Sequence, residues 1–125
     1  MNDSIRPNTL KFDRRDGYLY ILVNAELLHR DSALGYLAEI SDKCIEFRYR
    51  RLMIEIEAIK SLSNADLFYI CEQFAGMMHG FRVTFLTHQT TETDGLSFAL
   101  LVLNNRGVQA EAHPSIKSGE QWLLR

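Results

Sequence analysis

The sequence predicts a single α/β domain: a five-stranded, mixed and mostly parallel sheet with four helices lying mainly on one of its faces. Three observations carry this reading. Stretches with apolar residues at every second position alternate along the chain with stretches of three-four spacing, the patterns of strands and helices in turn. The first two strands are joined by the pair Asp16-Gly17, a hairpin turn, so one strand runs antiparallel. The strands also alternate instead of being apolar throughout, as strands covered on both faces would be. Lys11, Tyr18, Tyr20, Glu55, Glu57, Arg82, Thr84, Gln109 and Glu111 fall on the phase opposite the core. Right-handed crossovers between neighbouring strands then put most helices on the other face.

Residues 1–8 read as a flexible segment before the domain. Thr9 to Asp13 forms a first strand with Leu10 and Phe12 inward. Tyr18 to Ala25 forms a second, with Leu19, Ile21, Val23 and Ala25 on its core face. Asp31 or Ser32 caps the first helix, whose stripe is Leu34, Leu37, Ala38, Ser41, Cys44 and Ile45. The run Arg48-Tyr49-Arg50-Arg51 closes that helix, where cations suit the helix dipole, and continues as a solvated turn.

The stretch from Arg51 to Leu67 organises the rest. Leu52, Ile54, Ile56 and Ala58 alternate with Met53, Glu55, Glu57 and Ile59, a half-buried strand. Ser63 then precedes Asn64-Ala65-Asp66 and an apolar run. Its hydroxyl can accept a bond from a free amide of the first helical turn, and Asp66 puts negative charge where the dipole favours it. Leu67, Ile70, Cys71, Phe74 and Met78 form the stripe of this second helix. Phe81 to His88 is the fourth strand. A third helix spans roughly Asp94 to Asn105 and ends at Arg106-Gly107. Val108 to Ala112 is a short fifth strand, stopped by Pro114, and Ser115 to Leu124 is a last short helix carrying Trp122.

Composition excludes several classes. A net charge of −2 lacks the basic field on which generic nucleic-acid binding rests. No apolar run approaches the roughly 20 residues of a membrane-spanning helix, and the N-terminal stretch lacks the apolar core of a signal peptide. Cys44 and Cys71 both lie in helical apolar patterns, which reads as buried free thiols in a reducing cytoplasm. His29, His79, His88 and His113 show no ligand spacing; only His88 and His113, at the ends of neighbouring strands, could approach each other, and a tight metal site wants three or four ligands. There is no nucleophile elbow, phosphate loop or dinucleotide fingerprint. Glu55 and Glu57 read as partners of Arg82 across the sheet rather than a catalytic pair. No metal, no cofactor and no enzymatic activity are expected.

Several pieces in this order look like a known family. They are Gly17-Tyr18 entering a strand, Asp31 opening the first helix, the strand RLMIEIEAI, Asn105-Arg106-Gly107, and the ending Gly119-Glu120-Gln121-Trp122-Leu123. Together they resemble the STAS-like, SpoIIAA-like domains of bacterial anti-sigma-factor antagonists, and in particular the small stand-alone STAS/CRAL-TRIO-like proteins. The resemblance covers nearly the whole chain. It implies a cytoplasmic, non-enzymatic, protein-binding regulatory module. In the antagonists a serine in the loop after the central strand is phosphorylated. The matching residues here are Ser63, Asn64, Ala65, Asp66 and Leu67, and the phosphoacceptor position falls on Ala65, which has no hydroxyl. The resemblance therefore implies a partner surface at Lys60, Ser61, Ser63, Asn64 and Asp66 without the usual switch. Its CRAL-TRIO side implies instead a carrier or sensor of a small apolar ligand.

The third helix bears on both readings. Leu96, Ala99, Leu100 and Leu103 form one apolar stripe, and Phe98, Leu101 and Val102 form a second on another side. Either neighbouring helices, above all the last one with Trp122, cover the second stripe, or it lines a homodimer contact or the mouth of an apolar pocket.

Overall fold

Asp16-Gly17 turns the chain back on itself because Gly17 sits at φ 92°, in the left-handed region that glycine adopts without a Cβ clash. A computed structural model describes residues 8–25, 30–57, 63–87 and 93–125. Strands β1 (Asn8–Arg15) and β2 (Tyr18–Ala25) pair antiparallel across that turn, Arg15 opposite Tyr18. Then follow α1 (Arg30–Phe47), β3 (Arg51–Glu57), α2 (Asn64–Met77), β4 (Arg82–Leu86), α3 (Thr93–Asn105), β5 (Gln109–His113) and α4 (Ile116–Leu123). The sheet order is β1-β2-β3-β4-β5, with every pair after the hairpin parallel. The α/β class, the mixed five-stranded sheet and the element order agree with the sequence reading. Of the expected segment 1–8 only Asn8 is described, and its backbone already belongs to β1.

The crossover helices α1, α2 and α3 cover one face. Their core joins Leu19, Ile21 and Val23 of β2 and Leu52 and Ile54 of β3 to Leu37, Ile40 and Cys44 of α1, Cys71 and Phe74 of α2, and Val102 and Leu103 of α3. The rotation of α1 differs from the expected stripe. Ala33, Leu37, Ile40 and Cys44 are buried, a 4-3-4 spacing on one side, whereas Ile45 is 73 % exposed. Each helical residue turns the side chain by about 100°, so Ala38 and Ile45, one step past Leu37 and Cys44, swing out to solvent. Neither Asp31 nor Ser32 caps α1, because the helix already starts at Arg30 and both lie in its first turn. The helix also ends before the arginine run. Arg48 follows it at φ 63°, and the Tyr49 amide donates to the Cys44 carbonyl at 3.0 Å, which closes the last turn.

The other face is not left to solvent. Glu55, Arg82, Thr84 and Glu111 share it, with Met53, Thr84 and Glu111 side by side in register, and Glu57 follows in the same phase of β3. Helix α4 packs there, against β3, β4 and β5. Ser115 caps it by accepting the Ser118 amide at 3.1 Å, and Gly119, Trp122 and Leu123 are its buried side. Gly119 lets the helix lie close: a Cβ there would sit 3.2 Å from Met53 Cε and 3.3 Å from Thr84 Cγ2. At the far end the Arg82 Nη1 donates to the carbonyls of Trp122 (2.7 Å) and Leu123 (3.2 Å), and its guanidinium lies 4.7 Å from the Trp122 ring centre. A cation thus satisfies the free carbonyls at the negative end of the helix. A second, smaller core of Tyr18, Met53, Leu86, Trp122 and Leu123 results.

Candidate functional site

The start of α2 is built as its sequence demands. Ser63 is extended, and its Oγ accepts the Asp66 amide at 3.1 Å, with Asp66 in the first turn. Ser63, Asn64 and Ala65 are exposed. Of the expected partner-binding residues, Ser63, Asn64 and Asp66 therefore stand together at one helix entrance; Lys60 and Ser61 lie outside the described residues. The Ser63 hydroxyl at this entrance is engaged as a cap, and the half-buried Asp66 puts a carboxylate beside it.

Beyond this entrance the outer side of α2 meets that of α3. Phe68 is 36 % exposed, and its ring centre lies 6.4 Å from that of Phe98. Leu101 is 59 % exposed. The expected stripe Phe98, Leu101 and Val102 does not hold as one surface. Val102 is buried among the core residues and Phe98 is half-buried against them, so only Leu101 faces out fully. Helix α2 lies beside α3, and α4 is on the opposite face of the sheet, so Trp122 does not cover this stripe. Cations frame the exposed rings: Arg106 lies 5.1 Å from the Phe68 centre and pairs with Glu72 at 3.1 Å, and Arg30 lies 5.0 Å from the Tyr69 centre.

A second constellation, missed by sequence reading, lies under α4. The Tyr20 hydroxyl donates to the Glu55 carboxylate, and the Tyr18 hydroxyl donates to Glu120 of α4 at 2.8 Å. Burial, and then that carboxylate, push the Tyr18 phenol above its ordinary range. Thr84 Oγ1 and His113 Nδ1 are 2.7 Å apart, His113 Nε2 is 3.2 Å from Glu111, and the imidazole lies 5.5 Å from the Trp122 ring centre. The chain hydroxyl–imidazole–carboxylate has the residue types of a nucleophilic relay. Thr84, however, is fully buried, so its hydroxyl is spent on orienting His113 and cannot meet a substrate. The expected bridge from Glu55 and Glu57 to Arg82 is not formed by Glu55. The register sets Arg82 beside Arg51 and Glu55 beside Leu86, and Arg82 turns to Gln109 and the end of α4. A shared strand phase signals the common face; the partners depend on the register and on where α4 lands.

Among the described residues no group of three or more His, Cys, Asp or Glu is placed to hold a metal ion, and His88 lies outside them. Cys44 and Cys71 are free and buried, and burial pushes both thiols up to about 11, which leaves them protonated and unreactive near neutrality. No described helix is long and apolar enough to cross a membrane. No protein-family model matches the chain, and no curated protein matches it.

Proposed function

We propose that this chain is a non-enzymatic regulatory module of a bacterial cytoplasm, STAS-like as its sequence resemblance implies, which docks a protein partner over the first turns of α2 and the outer side of α3. The observation that carries the reading is the exposure of Phe68 and Leu101 on adjacent helices, directly beyond the capped entrance Ser63–Asp66. Exposed apolar side chains grouped on neighbouring elements and rimmed by charge are the usual make-up of a protein contact. Ser63 serves as a cap and Ala65 occupies the phosphoacceptor position, so docking here is constitutive rather than switched by phosphate.

The test compares Leu101→Glu with Ile45→Glu, an even more exposed apolar site on α1. Affinity purification of the tagged full chain from its own cells, followed by sedimentation, reads the bound partner or the self-associated dimer. Loss with Leu101→Glu and retention with Ile45→Glu is the expected result. Equal retention by both variants sinks the proposed surface, and a phosphate mapped to Ser61 or Ser63 in cells overturns constitutive docking.

A further inference from the structure

Helices α1, α2 and α3 each end where the next parallel strand begins, and β1, running antiparallel, ends at this same edge of the sheet. Hydrogen bonds knit the edge together: Tyr49 Oη to the Arg15 carbonyl at 2.8 Å, the Arg82 amide to the Arg50 carbonyl at 3.1 Å, and the Gly80 amide to the Gly107 carbonyl at 2.8 Å. Most of the arginines in the chain gather here. Some are engaged internally. Arg15 pairs with Asp13, Arg106 with Glu72, Arg14 lies over Phe47, and Arg82 caps α4. The turn between α1 and β3 is different. Arg48, Arg50 and Arg51 are all exposed. Arg50 lies over the Phe81 ring, while Arg48 and Arg51 have no ion pair or side-chain hydrogen bond with any described residue.

Two features of this turn carry a cost, the first of them offset in part by the Tyr49 amide bond that closes α1. Arg48 holds a left-handed backbone, φ 63°, at the helix-end position where glycine or asparagine is usual. Arg51 stands beside Arg82 in the parallel register, like charge next to like charge on one face. The helix dipole accounts for a cation just past α1, but not for Arg50 and Arg51, which lead into and open a strand. An external anion seated on the turn would offset the repulsion. The residue type narrows that anion: the planar arginine fork matches carboxylate or phosphate in a paired geometry. The net charge of −2 on the whole chain disfavours a long polyanion, which would run from this edge onto the acid-bearing remainder of the surface.

We propose that this edge is a second docking surface, distinct from the α2–α3 face, for a short acidic protein segment whose carboxylates pair with Arg48, Arg50 and Arg51. The experiment uses the full chain and a fluorescently labelled oligoglutamate peptide at low salt, read by anisotropy. The double variant Arg48→Asn, Arg51→Gln is compared with Lys11→Gln, Lys117→Gln, which removes the same charge elsewhere. The edge variant is expected to weaken binding about tenfold and the control to leave it nearly unchanged. Equal weakening by both variants reduces the effect to net charge and overturns the proposal, as does a wild-type chain that ignores the peptide. A short DNA duplex that binds more tightly than the peptide overturns the choice of partner. Circular dichroism of both variants guards against misfolding, and Arg51→Gln alone, which leaves the α1 terminus untouched, repeats the comparison.

Discussion

Leu52 and Met53 are neighbours in β3, both fully buried, and they belong to different cores. Leu52 faces a layer formed by three helices that cross over between strands. Met53 faces one helix of eight residues. The first layer is mainly apolar, with two thiols and the buried hydroxyl of Tyr36 as polar groups within it, and is held chiefly by buried area. The second is small and threaded with polar bonds: Tyr18 to Glu120, Thr84 to His113, and Arg82 to the end of α4. An isolated helix as short as α4 is not stable in water, so its docking depends on these directed contacts as well as on Trp122 and Leu123. Buried area dominates the first layer; orientation matters more in the second.

The largest expected effect sets the two layers against each other. Leu52→Ala should cost about 4 kcal/mol, because three helices and the sheet surround the void and cannot all collapse into it. Met53→Ala should cost about 2–3 kcal/mol, since a single short helix can settle toward the gap. Urea denaturation measures both. Equal costs, together with α4 amides that exchange only through global unfolding, would show one cooperative core and break the comparison.

A pH series sharpens the account of the first layer. Both of its thiols, Cys44 and Cys71, are raised from near 9 to about 11 by burial. The fold holds the protonated form. Their contribution is therefore fully present below about pH 9 and declines as the unfolded chain releases protons that the folded chain retains, until it is lost near pH 11. Each thiol accounts for on the order of 2–3 kcal/mol of this alkaline loss. The double variant Cys44→Ala, Cys71→Ala should flatten the slope of stability against pH between these values. The raised phenols of Tyr18 and Tyr36 leave a remnant of the same sign.

The smallest effect belongs to the second layer. Thr84→Val keeps the shape but leaves His113 Nδ1 facing a methyl group, at a cost of about 1–2 kcal/mol. Hydrogen exchange should then speed up in α4 before it does in α1 or α2. Uniform acceleration would mean that the Thr84–His113 bond supports the whole sheet and not this helix.

The features legible in the sequence are those set by a few consecutive residues. Strand β2 from Tyr18 to Ala25, the Asp16-Gly17 turn, the Ser63 cap and the glycine ending α3 all follow from local sterics and hydrogen bonding, and all are found where the pattern puts them. The single-face grouping of Glu55, Arg82, Thr84 and Glu111 follows from the two-residue period of the strand. At the proposed partner site the helix entrance was legible for the same local reason. The division of the α3 stripe into a buried Val102 and an exposed Leu101 was not, because both are apolar and only the position of α2 separates them.

Tertiary structure alone decided the side of α4. Helices α1 to α3 each link two parallel strands, so the right-handed crossover holds them to one face. Among the described residues α4 does not link two strands of this sheet, so handedness leaves its side open. Its placement was settled by the fit of Gly119 over Met53 and Thr84 and by Arg82 reaching its final carbonyls, contacts between residues far apart in the chain. Periodicity shows that an element has a buried side, while the identity of its neighbour depends on packing across the whole fold.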